Sequence, residues 1–437
     1  MKICKLRLKN YRCFENLEID FHDNLTVIVG SNGSGKTSVL EGVAVSLGTF
    51  FTGLDGLSGI SIGKKDAHLK AYRMGESDDV QAQYPVEIEA KGVVDTADIY
   101  WKRSLNGEGG STTIKEAKAL IDIAKKYQER LRAGDRDLIL PVIAYYGTGR
   151  LWDYHREKKL DTFKDNTKTN GYIDSLDGTA NIKLMMNWFR KKTIQMAQKS
   201  AVGGLNSALE LKVVCYAMET CFSQITGYQD VKLLYNLDTN EIDCYYKNND
   251  GLQMNIPLSQ MSDGYKSTIS LIADIAYRMA VLNPQLGTSV LDNTDGVVLI
   301  DEVDLHLHPA WQHRILSDLQ KIFPQVQFIV TTHAPAVISS VRSENLVILQ
   351  GYEATGVGIE SFGDDINSIL TDIMGVSDRN PVIDNLFKRF YVELNDGRYD
   401  DAEKTLDEID EHREYHDKEV TANRVKLKLE RIRGGQT

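Results

Sequence analysis

Long hydrophobic runs are missing from this 437-residue sequence. Its apolar stretches, such as Val297 to Ile300, are strand-sized, far short of the roughly 20 apolar residues that a bilayer-spanning helix needs. The opening Met1 to Tyr11 alternates apolar with basic side chains and lacks an apolar core followed by a small-residue cleavage site, so it does not read as a secretory signal. The expected location is the cytoplasm, without a membrane partner. Cysteine is scarce: Cys4, Cys13, Cys215, Cys221 and Cys244 make an odd number with no C-x-x-C pair. That argues against a disulfide framework and against a zinc knuckle, and favours buried, reduced thiols. Positive charge is also in deficit. A net charge of -11 and a pI near 5.4 speak against a chain that wraps nucleic acid through its own overall field, leaving a local basic patch or contact through a complex. No internal repeat and no low-complexity segment is present.

What the chain does have is an ordinary globular composition, 42% hydrophobic and 26% charged, with a length that points to one α/β core carrying insertions. Cys4, Leu6 and Leu8 alternate with Lys5, Arg7 and Lys9, and Leu17, Ile19 and Phe21 alternate with Glu18 and Asp20; this predicts two half-buried antiparallel strands. Leu25 to Val29 is a continuous, β-branched run suited to a central strand. Further strands are expected at Val86 to Ala90, Ile99 to Arg103, Val231 to Tyr235 and Glu241 to Tyr246. Ile114 to Arg132 and Ile182 to Ala201 have helical spacing. Val297 to Ile300, Phe328 to Val330 and Leu346 to Leu349, separated by helix-forming stretches, predict a parallel sheet. Beyond Gly363 the pattern is wholly helical, with Pro381 suited to a first turn and Gly397 between two helices. The expected organisation is therefore an N-terminal half over residues 1–110, a helical insertion over 111–225, a C-terminal half of the same core over 226–363, and a helical region over 364–437.

Four features carry chemistry. Gly30 to Thr37, GSNGSGKT, fits G-x-x-x-x-G-K-[ST] between a strand and a helix. In that geometry the amides of Asn32, Gly33, Ser34 and Gly35 curl around a polyphosphate at a helix N-terminus, supported by Ser38. Lys36 reaches the β- and γ-phosphates and the Thr37 hydroxyl ligates Mg²⁺. ATP and Mg²⁺ are thus the expected ligands. The strand Val297 to Ile300 ends in Asp301-Glu302, where Asp301 would serve the metal and Glu302 would polarise the attacking water. His333 ends a further buried strand and is placed to bond a γ-phosphate. Ser262-Asp263-Gly264 precedes the helix Ser267 to Met279. A Ser-Asp-Gly cap alone is ordinary, but with a phosphate loop already present it supplies a second anion-binding helix N-terminus, best used against nucleotide held by another copy. His306 and His308, two apart with no third ligand in view, make only a weak metal pair.

Taken together, these residues resemble the ABC-type ATPases of the RecF, SMC and OLD kind, whose fold is a P-loop α/β head with a mostly parallel central sheet, an antiparallel N-terminal β part and helical additions. Leu8-Lys9-Asn10-Tyr11-Arg12-Cys13-Phe14 is similar to that family's opening L-x-N-F-R-x-F, and the resemblance implies that Arg12 approaches the nucleotide. It likewise makes Lys36 and Thr37 Walker A residues, Ser262 and Gly264 signature residues, Asp301 and Glu302 the Walker B pair, residues 304–309 the D-loop and His333 the switch histidine. Two departures stand out. Where a Q-loop glutamine is expected, Val142 to Arg150 offers Arg150, and the signature carries Asp263 and Tyr265 where transporter subunits usually have glycine and glutamine. About 220 residues separate the phosphate loop from Ser262, too few and too poor in heptads for long coiled-coil arms. No H-N-H motif and no Toprim-like acidic cluster appears. Tyr145 to Arg150, Met261 to Tyr265, Ile300 to Pro309 and Met374 to Pro381 are most similar to the ATPase of the Septu anti-phage system and retron-linked ATPases. That resemblance implies a head-to-tail homo-oligomer working with a separately encoded HNH nuclease. A RecF-type repair ATPase that binds DNA itself, and a nucleotide-gated scaffold with little hydrolysis, are the competing readings.

Overall fold

The computed structural model describes the chain except for residues 75–76, 152–166, 179–181, 202–208, 249, 357–359, 376, 378, 413–417 and 434–437. It falls into two units, Met1–Asp364 and Asp365–Thr437. Numbering strands and the helices of eight residues or more, the first unit runs β1 (Lys2–Tyr11), β2 (Phe14–Asp20), β3 (Leu25–Gly30), α1 (Lys36–Leu47), β4 (Leu69–Met74), β5 (Ser77–Ala82), β6 (Val86–Val94), β7 (Ala97–Leu105) and α2 (Lys118–Arg132). It continues with β8 (Val142–Tyr146), α3 (Ile182–Ala201), α4 (Leu209–Thr226), β9 (Gln229–Asn236), β10 (Glu241–Lys247), β11 (Gln253–Pro257) and α5 (Asp263–Leu282). β12 (Gly296–Ile300), α6 (Ile315–Ile322), β13 (Val326–Thr332), β14 (Leu346–Gln350) and β15 (Glu353–Gly356) complete it.

The central sheet has six strands in the order β15-β14-β3-β13-β12-β8, parallel throughout except for the β14–β15 edge pair. The run Leu25–Val29, β12 and β13 are buried along their whole length, which is why their sequences are mainly apolar rather than alternating, with Thr26, Gln327, Thr331 and Thr332 as buried polar exceptions. Pairing of Val330 with Val27, and of Ile300 with both Val330 and Tyr146, brings the C-terminal ends of four strands to one edge of the molecule. Ligands of open α/β sheets bind at that edge. A second, antiparallel sheet, β2-β1-β6-β7, supplies the expected N-terminal β part. It is pinned to α1 by Trp101, wholly buried, whose indole N–H donates to Ser46 Oγ at 2.8 Å. The three-stranded sheet β11-β10-β9 and the hairpin β4-β5 stand apart from both.

Two places differ from the sequence expectation. The span read as a helical insertion, 111–225, contains β8, which is a strand of the central sheet; its five buried apolar residues are too few for periodicity to separate strand from helix. The hairpin β4-β5 was not anticipated because Leu69, Tyr72, Met74 and Val80 are exposed, so no burial imposes an alternating pattern. Helix α5 is tied to β8 deep in the core. Tyr146 Oη and Arg278 Nε each donate to Asp274 Oδ2 at 2.7 Å, and Arg278 Nη1 donates to the carbonyls of Gly171 and Ile173 at 2.9 Å.

The second unit packs α7 (Pro381–Asn395), α8 (Tyr399–Glu411) and α9 (Lys418–Arg433) around Leu386, Phe387, Phe390, Leu406 and Ile409. Asn380 caps α7 by accepting from Val382 N at 3.0 Å, with Pro381 in the first turn. Among the described residues all five cysteines are free, Cys221 and Cys244 buried and the others half-buried, and no helix is long and apolar enough to cross a membrane.

Candidate functional site

β3 runs into the phosphate loop and α1 leaves it at Lys36. Gly33 and Gly35 have φ of 82° and 99°, a left-handed conformation open to glycine at little cost. At Gly35 the packing demands it as well, since a Cβ would sit 2.4 Å from the Phe14 ring and 2.6 Å from Cys13 Sγ. Lys36 lies inside the loop it closes, donating to the carbonyls of Gly30 and Ser31 at 2.9 and 3.0 Å. Burial lowers its pKa, while Asp301, Glu302 and Asp304 act to raise it. Ser34 Oγ is buried without a hydrogen-bond partner. Asn32, Gly33 and Thr37 face outward, and Ser38, half-buried, shares a hydrogen bond with the Cys13 thiol.

At the end of β12 Asp301 is 2% exposed and held at both oxygens. Thr37 Oγ1 donates to Oδ2 at 2.7 Å and Thr331 Oγ1 donates to Oδ1 at 2.6 Å. Glu302 turns the chain with φ of 48° and its N–H donates to Thr331 Oγ1 at 2.8 Å. Thr332 Oγ1 donates to Asp304 Oδ1 at 2.5 Å. His333 follows, half-buried, with its pKa lowered by burial and by Lys36 against the opposing pull of Glu302, Asp304 and Asp301. Lys36, Thr37, Asp301, Glu302 and His333 thus converge at one sheet edge. The hydroxyl of Thr37 and the carboxylate of Asp301, in contact, are a hard-oxygen pair that fits Mg²⁺, an ion that keeps waters and takes few protein ligands beside substrate phosphates. No group of three or more His, Cys, Asp or Glu among the described residues could hold a metal, so His306 and His308, both exposed, gain no third ligand.

Ser262 and Gly264 open α5. Ser262 is its N-cap, exposed, with a side chain that caps nothing, and Lys266 pairs with Asp263 at 2.9 Å. Gly264 is seated on the D-loop: a Cβ there would lie 2.6 Å from the His306 carbonyl oxygen and 3.4 Å from Trp311. Tyr265 packs its ring 4.5 Å from that of Trp311, which accounts for an aromatic at this signature position. Arg12 is engaged elsewhere, with Nε on Asp66 Oδ1 at 2.9 Å and Nη1 ion-paired to Glu41. It lines an open cleft of about 2120 Å³, bordered also by Tyr11, Glu41, Asp66 and Tyr145, which none of Gly33 to Thr37 reaches. The Arg150 side chain and Val376 lie outside the described residues. Sequence reasoning passed over Thr331 and Thr332. Their signal was two adjacent hydroxyls directly after the apolar run Phe328–Val330.

An AAA-domain family matches residues 5–207, and a second, described as "AAA domain, putative AbiEii toxin, Type IV TA system", matches residues 144–339. The chain is 27% identical over 395 residues to the "Retron Vc95 probable ATPase" of Vibrio cholerae, covering 79% of this chain and 74% of that one. It is 25% identical over 432 residues to the Septu protein PtuA of Bacillus thuringiensis, covering 94% and 91%. Among solved structures, an SMC head bound to the C-winged helix domain of ScpA aligns with a TM-score of 0.48 at 16% identity, over 82% of this chain and 98% of that one.

Proposed function

We propose, for a chain that is an ABC-type ATPase of the RecF/SMC kind related to the retron ATPases and to Septu PtuA, that two copies pair head to tail and close ATP between them. The assembly then regulates or recruits a separately encoded HNH nuclease in anti-phage defence, with nucleic acid engaged through that complex. Within one chain the loop amides and Lys36 hold the phosphates. Thr37 and Asp301 would hold Mg²⁺, which would supply neutralisation of phosphate charge. Glu302 orients and polarises the attacking water, and His333, whose pKa burial and Lys36 lower, bonds the γ-phosphate. From the other chain, Ser262 and the bare backbone of Gly264 close the far side. Arg12 joins only by leaving Asp66 and Glu41.

The observation that carries this reading is the exposed N-terminus of α5, whose Ser262 hydroxyl caps nothing within its own helix. Complementation tests it. Lys36→Ala and Ser262→Arg chains should each be inactive alone, because every composite site holds one defect. Mixed, they form one interface with both defects and one with none, and part of the ATPase rate should return. Absence of rescue, with mixed pairing verified by two tags, would sink the trans site. Co-purification of an HNH protein with a tagged copy checks the partner. DNA binding by this chain alone with a steep salt dependence would instead mark a repair ATPase.

A further inference from the structure

Accounting for the backbone donors just past β12 leads to one side chain. The parallel ladder between β12 and β13 ends at Ile300 opposite Val330, and the next three N–H groups need partners in a buried place. Asp301 N donates to the Tyr146 carbonyl at 2.8 Å and Val303 N to the Thr331 carbonyl at 3.0 Å. Between them, Glu302 N donates to the hydroxyl of Thr331 at 2.8 Å. That hydroxyl, on a residue with 0% exposure, has a single proton, and it goes to Asp301 Oδ1 at 2.6 Å.

We propose that Thr331 is a positioning residue of the hydrolysis site, its one hydroxyl fixing both Walker B acids at once. The inference rests on the reading of Asp301 and Glu302 given above. With Oδ1 taken by Thr331, the Asp301 carboxylate cannot spin, and Oδ2 is the oxygen presented to the Thr37 hydroxyl, where Mg²⁺ would sit. The same hydroxyl holds the N–H of Glu302 in a turn with φ of 48°, a conformation that non-glycine residues adopt rarely and only when neighbours enforce it. A proton given to one acid and a lone pair given to the next residue makes the geometry of the pair a property of Thr331.

Valine is the isosteric probe, since it keeps the β-branched shape that strands favour and removes only the hydroxyl. Thr331→Val should fold, bind a fluorescent ADP without metal as the wild type does, and require about tenfold more Mg²⁺ to reach the metal-dependent gain in ADP affinity, with kcat down by about 10- to 100-fold, as losses of a metal ligand's hydrogen-bond partner typically cost. Thr331→Ser, which restores the hydroxyl, should return both readouts to within a few-fold. If valine fails to fold, the comparison of Thr331→Ala with Thr331→Ser isolates the same group. Wild-type Mg²⁺ dependence and kcat in Thr331→Val would overturn the assignment. So would a serine variant as defective as the valine one, because restoring the hydroxyl would then restore nothing, or a defect in serine alone, which would mark a packing role for the methyl. A wild-type chain that neither hydrolyses ATP nor shows any Mg²⁺ effect would overturn the reading of the acids itself.

Discussion

Removing the carboxylate from the buried Tyr146–Asp274–Arg278 network should cost far more than removing the phenol that also bonds it. The three residues are 1%, 2% and 1% exposed, so water cannot replace a lost partner. Burial works against the Arg278 charge, which Asp274 and Tyr146 more than restore, and burial together with Asp274 pushes the Tyr146 phenol well up, so it stays a donor. Asp274→Asn leaves the guanidinium with neutral acceptors only, an amide oxygen and the Gly171 and Ile173 carbonyls, and an uncompensated buried charge costs about 3–5 kcal/mol. Tyr146→Phe strands no donor and leaves Asp274 Oδ2 still bonded to Arg278; losing a hydrogen bond to a charged group costs about 2 kcal/mol. In the Asn background the acceptor is neutral, so Tyr146→Phe should cost only about 1 kcal/mol and the double mutant should fall short of the sum by about the same amount. Urea unfolding followed by tryptophan fluorescence reads this directly, because Trp101, Trp188 and Trp311 belong to the first unit. A Tyr146→Phe loss equal to or larger than that of Asp274→Asn, or strict additivity, would refute a carboxylate-centred network.

Glu302→Gln should keep ATP binding and lower turnover by about 10²-fold or more, the usual contribution of a general base; turnover near the wild-type rate would remove Glu302 from that role. Asp318 is 3% exposed, with Oδ1 unbonded and Arg314 and Lys321 no nearer than 3.9 Å, and burial raises its pKa. A raised acid means the folded state binds more protons, so its penalty grows as pH rises above the unfolded value. Asp318→Asn should therefore unfold at a higher temperature than the wild type at pH 8, with the gap narrowing toward pH 4. Truncation after Gly363 should leave the first unit folded by circular dichroism but change oligomer size or HNH co-purification, and unchanged values of both would show that the last three helices only pack on themselves.

The parts of the fold that could be read from sequence are those where burial is two-sided. Val297–Ile300 and Phe328–Val330 are apolar at every position, and Leu25–Val29 at all but Thr26, because both faces of the sheet are covered, and the GSNGSGKT loop follows from the chain geometry that a polyphosphate needs. Val142–Tyr146 is equally buried, yet it lies between stretches of helical spacing, and only its pairing with Val297–Ile300, far along the chain, makes it a strand. The same holds within the site. Lys36, Asp301 and Glu302 are legible because motifs fix their neighbours, whereas the roles of Thr331 and Thr332 depend on acids about 30 residues away. Arg12 shows the converse: its motif names a nucleotide contact, while the folded chain pairs it with Glu41 and Asp66, residues no local pattern connects to it.

The division between what one chain supplies and what it lacks follows from hydrogen bonding. On the phosphate-loop side nearly every group is already held. Lys36 rests on two carbonyls of its own loop, Asp301 is bonded at both oxygens, and Asp304 is bonded by Thr332. Such a surface is preorganised, so nucleotide binding need not order it, and little binding energy is diverted into building it. Gly264, by contrast, lies against the His306 carbonyl, while Ser262, two residues earlier, is exposed and its hydroxyl makes no cap. A helix N-terminus with free N–H groups and an unused hydroxyl gains most from an anion it does not already have. In the proposed pair the anion on its own loop would be served by Lys36 and Thr37, so the greatest gain would come from nucleotide on a second copy. Because Gly264 sits on the loop that carries Asp304, and Asp304 is held by the residue before His333, closure on a second nucleotide in the proposed pair would bear mechanically on the first.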